Sequence, residues 1–137
     1  EAKKKIFISR EDAQNRKIIN QNELLMTLKG WETITLDNLS IKEQVKIFAG
    51  ATHVVAPHGA GLANLLWCNP NTKVYELTHR EFLGKKVYPT LSKHLGLEHR
   101  IILCDTVKIN EAKSKNKKTK DMVDLKIDIT ELIKILN

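Results

Sequence analysis

An apolar run, Thr52 to Ala56, is cut by Pro57-His58-Gly59-Ala60-Gly61 and followed at once by a second apolar run, Leu62 to Trp67. This reads as a buried strand, an abrupt glycine-bearing turn and the start of an apolar helix. Such a unit aims free backbone N–H groups and the positive end of a helix at one point, which suits a phosphate or another anion.

The rest of the chain repeats the same alternation. Lys5 to Ser9 is a compact strand, followed by a polar loop carrying Arg10 and Arg16. Gln21 to Lys29 places Leu24, Leu25 and Leu28 on one helical face and stops at Gly30. Glu32 to Leu36 alternates as a strand. Ser40 with Glu43 forms a capping box for a helix whose apolar stripe is Ile41, Val45, Phe48 and Ala49. Asn69-Pro70-Asn71-Thr72 fits a type II turn, because Asn tolerates positive φ at the third position. Lys73 to Leu77 is the fourth strand, Val87 to Leu95 a helix ending at Gly96, and Arg100 to Leu103 the fifth strand. Asp128, with Glu131 three residues on, opens a last helix presenting Ile129, Leu132, Ile133 and Leu136. There are no internal repeats and no second-domain boundary, so residues 1–137 read as one domain.

Repeated βα units with short apolar strands predict an α/β fold, a mostly parallel sheet with helices on both faces. Ligands bind such sheets outside the carboxyl ends of the strands. Arg10, His58 and Glu76 each lie at or just past such an end and would meet at one edge. His58 stands beside the glycines as a donor, although a helix-capping histidine and a turn kept small for packing remain open readings. Arg10 and Arg16 could converge on one anion, since guanidinium groups hold phosphate oxygens bidentately; two surface arginines are the alternative. Glu76 could accept from ribose or sugar hydroxyls, or pair with a lysine or arginine.

Other chemistries are poorly served. No Asp, Glu, His or Cys spacing suggests a metal, and no nucleophile–base pair or catalytic carboxylate pair is marked, so no residue stands out as catalytic. His79, His94 and His99 read as surface or boundary residues. Cys68 and Cys104 adjoin apolar segments and belong to no CxxC pair, which favours buried, reduced thiols and a reducing compartment. The net charge of +7 sits largely in Lys3–Lys5 and in five lysines between 113 and 120. Residues 112–120 lack apolar periodicity and interleaved aromatics, so they read as a flexible, solvated lysine-rich loop; no nucleic acid partner is expected. No run approaches a membrane span of roughly 20 apolar residues. The chain starts at Glu1, which suggests a piece of a longer protein.

At these residues the sequence resembles glycosyltransferase family 61, which includes capsular polysaccharide biosynthesis proteins. The resemblance runs through Ile8-Ser9-Arg10 with Arg16 and Asn20, Glu23-Leu24, Leu39 with Glu43-Gln44, and Val55 with Pro57 to Leu62. It continues in Asn64-Leu65-Leu66, Val74 with Glu76-Leu77, and Val123-Asp124-Leu125. Departures are Trp67 in place of Phe, Gln21 in place of an acid, and Asn71 in place of Gly. The resemblance implies a Rossmann-like domain, the C-terminal, donor-binding half of a GT-B glycosyltransferase that inverts the anomeric centre without a metal. The substrates it implies are a nucleotide-sugar donor, expected to be a UDP-sugar, and a glycan acceptor. No cofactor is expected. The donor contacts would be Arg10, Arg16, His58, Gly59, Ala60, Gly61, Asn64 and Glu76. The general base is expected in an N-terminal domain, and the protein in the cytoplasm, with association at the cytoplasmic face of a membrane as a variant. The alternative reading is a noncatalytic nucleotide- or anion-binding module of the same fold.

Overall fold

A computed structural model describes residues 3–109 and 122–137. The elements run β1 (Lys4–Ile8), α1 (Gln21–Thr27), β2 (Glu32–Ile34), α2 (Ile41–Ala49), β3 (Ala51–Pro57) and a 3₁₀ helix (Ala60–Trp67). They continue with β4 (Lys73–Thr78), a short 3₁₀ turn (Arg80–Phe82), α3 (Val87–Leu95), β5 (Glu98–Leu103), β6 (Asp105–Lys108), β7 (Val123–Lys126) and α4 (Ile129–Leu136). Strands β1 to β5 form one sheet in the order β2-β1-β3-β4-β5, and every pair is parallel. The predicted α/β class and the parallel sheet are therefore present.

Strand residues alternate between two cores. Ile6, Ile8, Val54, Ala56 and Val74 pack beneath Phe48 of α2, Leu62 and Leu65 of the 3₁₀ helix, and Tyr88 and Leu91 of α3. Phe7, Val55, Tyr75, Leu77 and Ile102 pack on the other face beneath Leu24 and Leu28 of α1 and Leu132 of α4. Burial on both faces explains why these strands read as continuous apolar runs. Cys68 and Cys104 belong to different cores, both free and buried, with their thiols pushed up to about 12 by desolvation.

Local signals translate directly. Ser40 and Glu43 form both halves of the capping box, and the Asp128 side chain accepts from the Glu131 N–H. Asn71 has φ 71°, and the Thr72 N–H donates to the Asn69 carbonyl at 3.3 Å, as the turn requires. Gly96 closes α3 in the left-handed region at φ 71°.

Several expectations change. Helix α1 ends at Thr27 with Leu28 as its cap, and Gly30 falls in the turn beyond. The helix expected from Leu62 starts at Ala60 and is wound as a 3₁₀ helix. Ile41 and Ile133 are exposed: the faces that pack are carried by Phe48 and Ile47 on α2, and by Ile129, Leu132 and Ile135 on α4. An antiparallel β6–β7 pair stands where no strands were expected. The lysine-rich loop, 112–120, lies outside the described residues. Among the described residues, no helix is long and apolar enough to cross a membrane.

Gly96→Ala forces a Cβ into the left-handed region and should cost about 1–2 kcal/mol. Gly84 has open space where a Cβ would stand, and Gly84→Ala should stay within about 0.5 kcal/mol. Urea denaturation midpoints of the two variants check both values.

Candidate functional site

The strand order reverses direction between β1 and β3, and in sheets of this order the crevice at that switch point holds the ligand. Here a crevice of about 190 Å³ lies at that point, lined on one side by Ser9 and Arg10 and on the other by Pro57, Gly61 and Leu62. Thr35 and Asp37, just past β2, complete its rim.

Both predicted arginines arrive here from the loop that follows β1. Arg10 is held by Asn15: its Nη2 donates to the Asn15 Oδ1 at 3.1 Å and to the carbonyl at 3.3 Å. Arg16 stands at φ 54°, donates from Nε to the His58 carbonyl at 2.8 Å, and lies over the Phe82 ring at 5.5 Å. The loop keeps this shape through the far end of the chain. The Arg16 N–H donates to the Val123 carbonyl, the Leu125 N–H to the Lys17 carbonyl, and the Ile19 N–H to the Leu125 carbonyl. The Lys17 N–H donates to Asp124, while Asn20 exchanges two bonds with the backbone of Ile127.

Gly59 is where the two arginines converge. A Cβ at Gly59 would stand 2.5 Å from Arg10 Nη1 and 3.7 Å from Arg16 Nη2. A side chain at this position would force the Arg10 guanidinium aside, while Arg16 would stay at ordinary contact distance. Burial, and then the charge of Arg16, holds the Arg10 pKa below its usual value. No carboxylate lies within ion-pair distance of Arg10 among the described residues. The first bond of the 3₁₀ helix runs from the Leu62 N–H to the Gly59 carbonyl at 3.0 Å, so the N–H groups of Ala60 and Gly61 precede its ladder. Both guanidinium groups thus come to the Gly59 turn, and Arg10 and Gly61 also line the crevice, an arrangement suited to an anion.

The structure places the other two predicted residues differently. Asn64 donates from its amide to Gln44 Oε1 at 2.9 Å and to the Gly61 carbonyl at 3.0 Å, tying α2 to the 3₁₀ helix. Glu76 lies inside β4, only 1% exposed, with Oε2 2.6 Å from His58 Nδ1 and Oε1 2.8 Å from His99 Nε2. Both oxygens are engaged by histidines, and among the described residues no lysine or arginine pairs with them. Burial alone would raise the Glu76 pKa; hydrogen bonds and charge from His58 and His99 outweigh it and hold the carboxyl below its ordinary value. His99 Nδ1 lies 2.7 Å from the Ser92 hydroxyl on α3.

His58 is also boxed in by rings, with Phe82 at 5.1 Å and Tyr88 at 5.2 Å between centroids. Burial and the Glu76 charge raise the Tyr88 pKa against the opposing pull of Arg16 and Arg10. Tyr88, Phe82 and Ser92 went unread in the sequence, and His99, expected at the surface or boundary, has a side chain only 6% exposed and bonded to Glu76. His99 could have been found: β5 begins at Glu98, and the register Val74↔His99 and Glu76↔Ile101 sets His99 on the face of Glu76. Starting the strand at Arg100 concealed it. Among the described residues, no group of three or more His, Cys, Asp or Glu side chains is arranged to hold a metal.

The family model for "Glycosyltransferase 61" matches residues 1–75, which include Arg10, Arg16 and the whole His58–Gly61 turn. The chain belongs to the glycosyltransferase 61 family. It is 27% identical over 119 residues to a beta-1,2-xylosyltransferase of Arabidopsis thaliana, covering 69% of this chain and 22% of that protein. It is 29% identical over 106 residues to an EGF domain-specific O-linked N-acetylglucosamine transferase of Gallus gallus, covering 72% of this chain and 19% of that protein. The chain thus spans about a fifth of the length of the curated relatives it matches.

Because the native Glu76 pKa is lowered, its contribution to stability is present above the ordinary carboxylate range and is lost as pH falls through the lowered native value. Glu76→Gln should therefore cost about 3 kcal/mol at neutral pH and flatten the acid limb of the stability curve. Urea midpoints measured from neutral to acid pH check both effects.

Proposed function

We propose that this chain is the donor-binding half of a glycosyltransferase, binding the diphosphate of a nucleotide-sugar at Arg10, Arg16 and the His58–Gly61 turn. The observation that carries this reading is the convergence of two guanidinium groups on Gly59, with Arg10 also lining the switch-point crevice. Two like charges packed side by side oppose each other, and the Arg16 charge adds to burial in holding the Arg10 pKa down. A bound diphosphate relieves that repulsion and gains charge-assisted hydrogen bonds.

The same groups suit the chemistry. When a sugar leaves a nucleoside diphosphate for an acceptor hydroxyl, negative charge builds on the departing phosphate oxygens and the sugar becomes oxocarbenium-like. Preorganised donors aimed at that charge lower the barrier. The helix end alone offers about 0.3–2 kcal/mol, so the arginines carry the larger share. In this reading the transfer inverts the anomeric centre and needs no metal, and the donor is a UDP-sugar. A second domain of a GT-B enzyme supplies the general base and the glycan acceptor site, as in capsular polysaccharide biosynthesis proteins. Two buried free thiols support a reducing compartment, the cytoplasm, as the place of action. Asn64 and Glu76 act here as structural supports, and the nucleoside lies along the crevice between Ser9 and Asp37.

Calorimetric titration of the chain with UDP, with GDP and CMP as comparators, tests the reading. UDP should bind best, and Arg10→Ala should weaken it by about 10–150-fold, the value of a charge-assisted hydrogen bond. His58→Ala should also weaken it. Unchanged affinity in both variants refutes the assignment. Gly59→Ala, which pushes Arg10 aside, should weaken UDP without unfolding the chain, as judged by circular dichroism. Adding EDTA should leave UDP affinity unchanged; a loss on chelation would overturn the metal-free reading.

A further inference from the structure

The site holds a group of buried polar side chains that diphosphate binding by the arginines does not require. Glu76, His58, His99 and Ser92 form a continuous series with contacts of 2.6, 2.8 and 2.7 Å, running from the turn after β3 through β4 and β5 to α3. All four side chains are nearly or fully buried. A buried carboxylate is costly, and one reaching both its oxygens toward imidazoles is a defined chemical device.

We propose that His99 and Ser92 are positioning residues that act through Glu76, keeping it ionised so that His58 binds the donor's phosphates as an imidazolium. The identity of the ligand rests on the reading above; the state of the His58 ring does not. An ionised carboxylate only accepts hydrogen bonds, so the proton must sit on His58 Nδ1 and on His99 Nε2. His99 Nδ1 then accepts from the Ser92 hydroxyl, which completes the orientation of that ring. His58 Nε2 has no partner among the described residues. When an anion arrives, Nε2 takes a proton from solvent and donates it as a hydrogen bond, and Glu76 balances the new positive charge.

His99 matters because Glu76 is poised between opposing effects. Burial favours the neutral acid, and two imidazole donors together favour the carboxylate. With one donor removed, the balance shifts toward the neutral acid. The acid then donates to His58 Nδ1, the ring becomes neutral with its proton on Nε2, and it cannot charge without a buried ion left unbalanced. The charged groups facing His58 are Glu76 from β4 and Arg16, which donates to its carbonyl. The Tyr88 ring from α3 and the Phe82 ring pack against His58 at 5.2 and 5.1 Å between centroids, and 11% of the side chain stays exposed.

The test is nitrogen-15 NMR of the histidine rings in the 137-residue chain, free and with UDP, for the natural sequence, His99→Gln, His99→Leu and Ser92→Ala. His99→Gln retains an amide donor for Glu76 and should keep His58 protonated on Nδ1 when free and on both nitrogens when UDP is bound. His99→Leu should shift free His58 to the Nε2-protonated form, leave it neutral in the complex and weaken UDP by about tenfold, the order of one lost hydrogen bond. Should His99→Leu fail to fold, Ser92→Ala carries the same test with a smaller shift in the same direction, because it removes only the support of His99. A His58 ring whose protonation is the same in the natural chain, in His99→Leu and in Ser92→Ala overturns the proposal. If the ring responds as described but the natural chain does not bind UDP, the donor reading falls and the positioning role stands.

Discussion

A carboxylate with 1% exposure in the interior of a parallel sheet governs the arrangement of this protein's site. Buried without partners, Glu76 would cost several kcal/mol, and its attraction to a single partner would not offset that. The fold answers with a ring from each neighbouring strand, His58 beyond β3 and His99 within β5, and α3 contributes Ser92 behind the second ring. Three strands and a helix are thereby linked through one side chain. The constraint then propagates outward. His58 is held at its ring by Glu76 and at its N–H by the Leu77 carbonyl, and its own carbonyl anchors Arg16.

The opposite wall is held by a different device. A loop carrying two arginines that repel each other does not keep its shape unaided, and β7 supplies what it lacks. Residues 16–20 run beside Val123 to Ile127 with backbone bonds in both directions, reinforced by Asp124 and Asn20 over a sequence separation of 107 residues. Asn20 and Val123-Asp124-Leu125, which belong to the family resemblance without any evident chemistry, acquire a physical reason here. They hold the arginine loop.

How much could be read in advance follows from the range of each interaction. The Ser40–Glu43 capping box, the positive φ of Asn71 and the left-handed Gly96 are settled within four residues, and each stands as the sequence indicates. The parallel sheet was legible because strands buried on both faces lose the alternation of polar residues. Ile41 and Ile133 were misread because a helical stripe fixes spacing but not which edge of it meets the sheet. The β6–β7 pair gave little signal, since the four residues of β6 are all exposed and polar or β-branched. Within the site, Arg10, Arg16 and the His58–Gly61 turn were recognisable from residue type and position at strand ends. Glu76 was noticed without its two histidine partners, and His99 was read as a surface or boundary residue.

By itself, then, the amino-acid order determined the strand–turn–helix units, the caps, and the set of residues delivered to one edge of a parallel sheet. Those properties depend on local backbone preference and on periodic burial, which act along the chain. The tertiary structure alone decided that Gly59 is the point where two guanidinium groups meet, that Glu76 faces two histidines instead of solvent, and that residues 123–127 brace the loop of Arg16. Each of these depends on strand order and register, which bring together groups 18 to 107 residues apart. No local preference encodes such distances; only the packing of the whole sheet does.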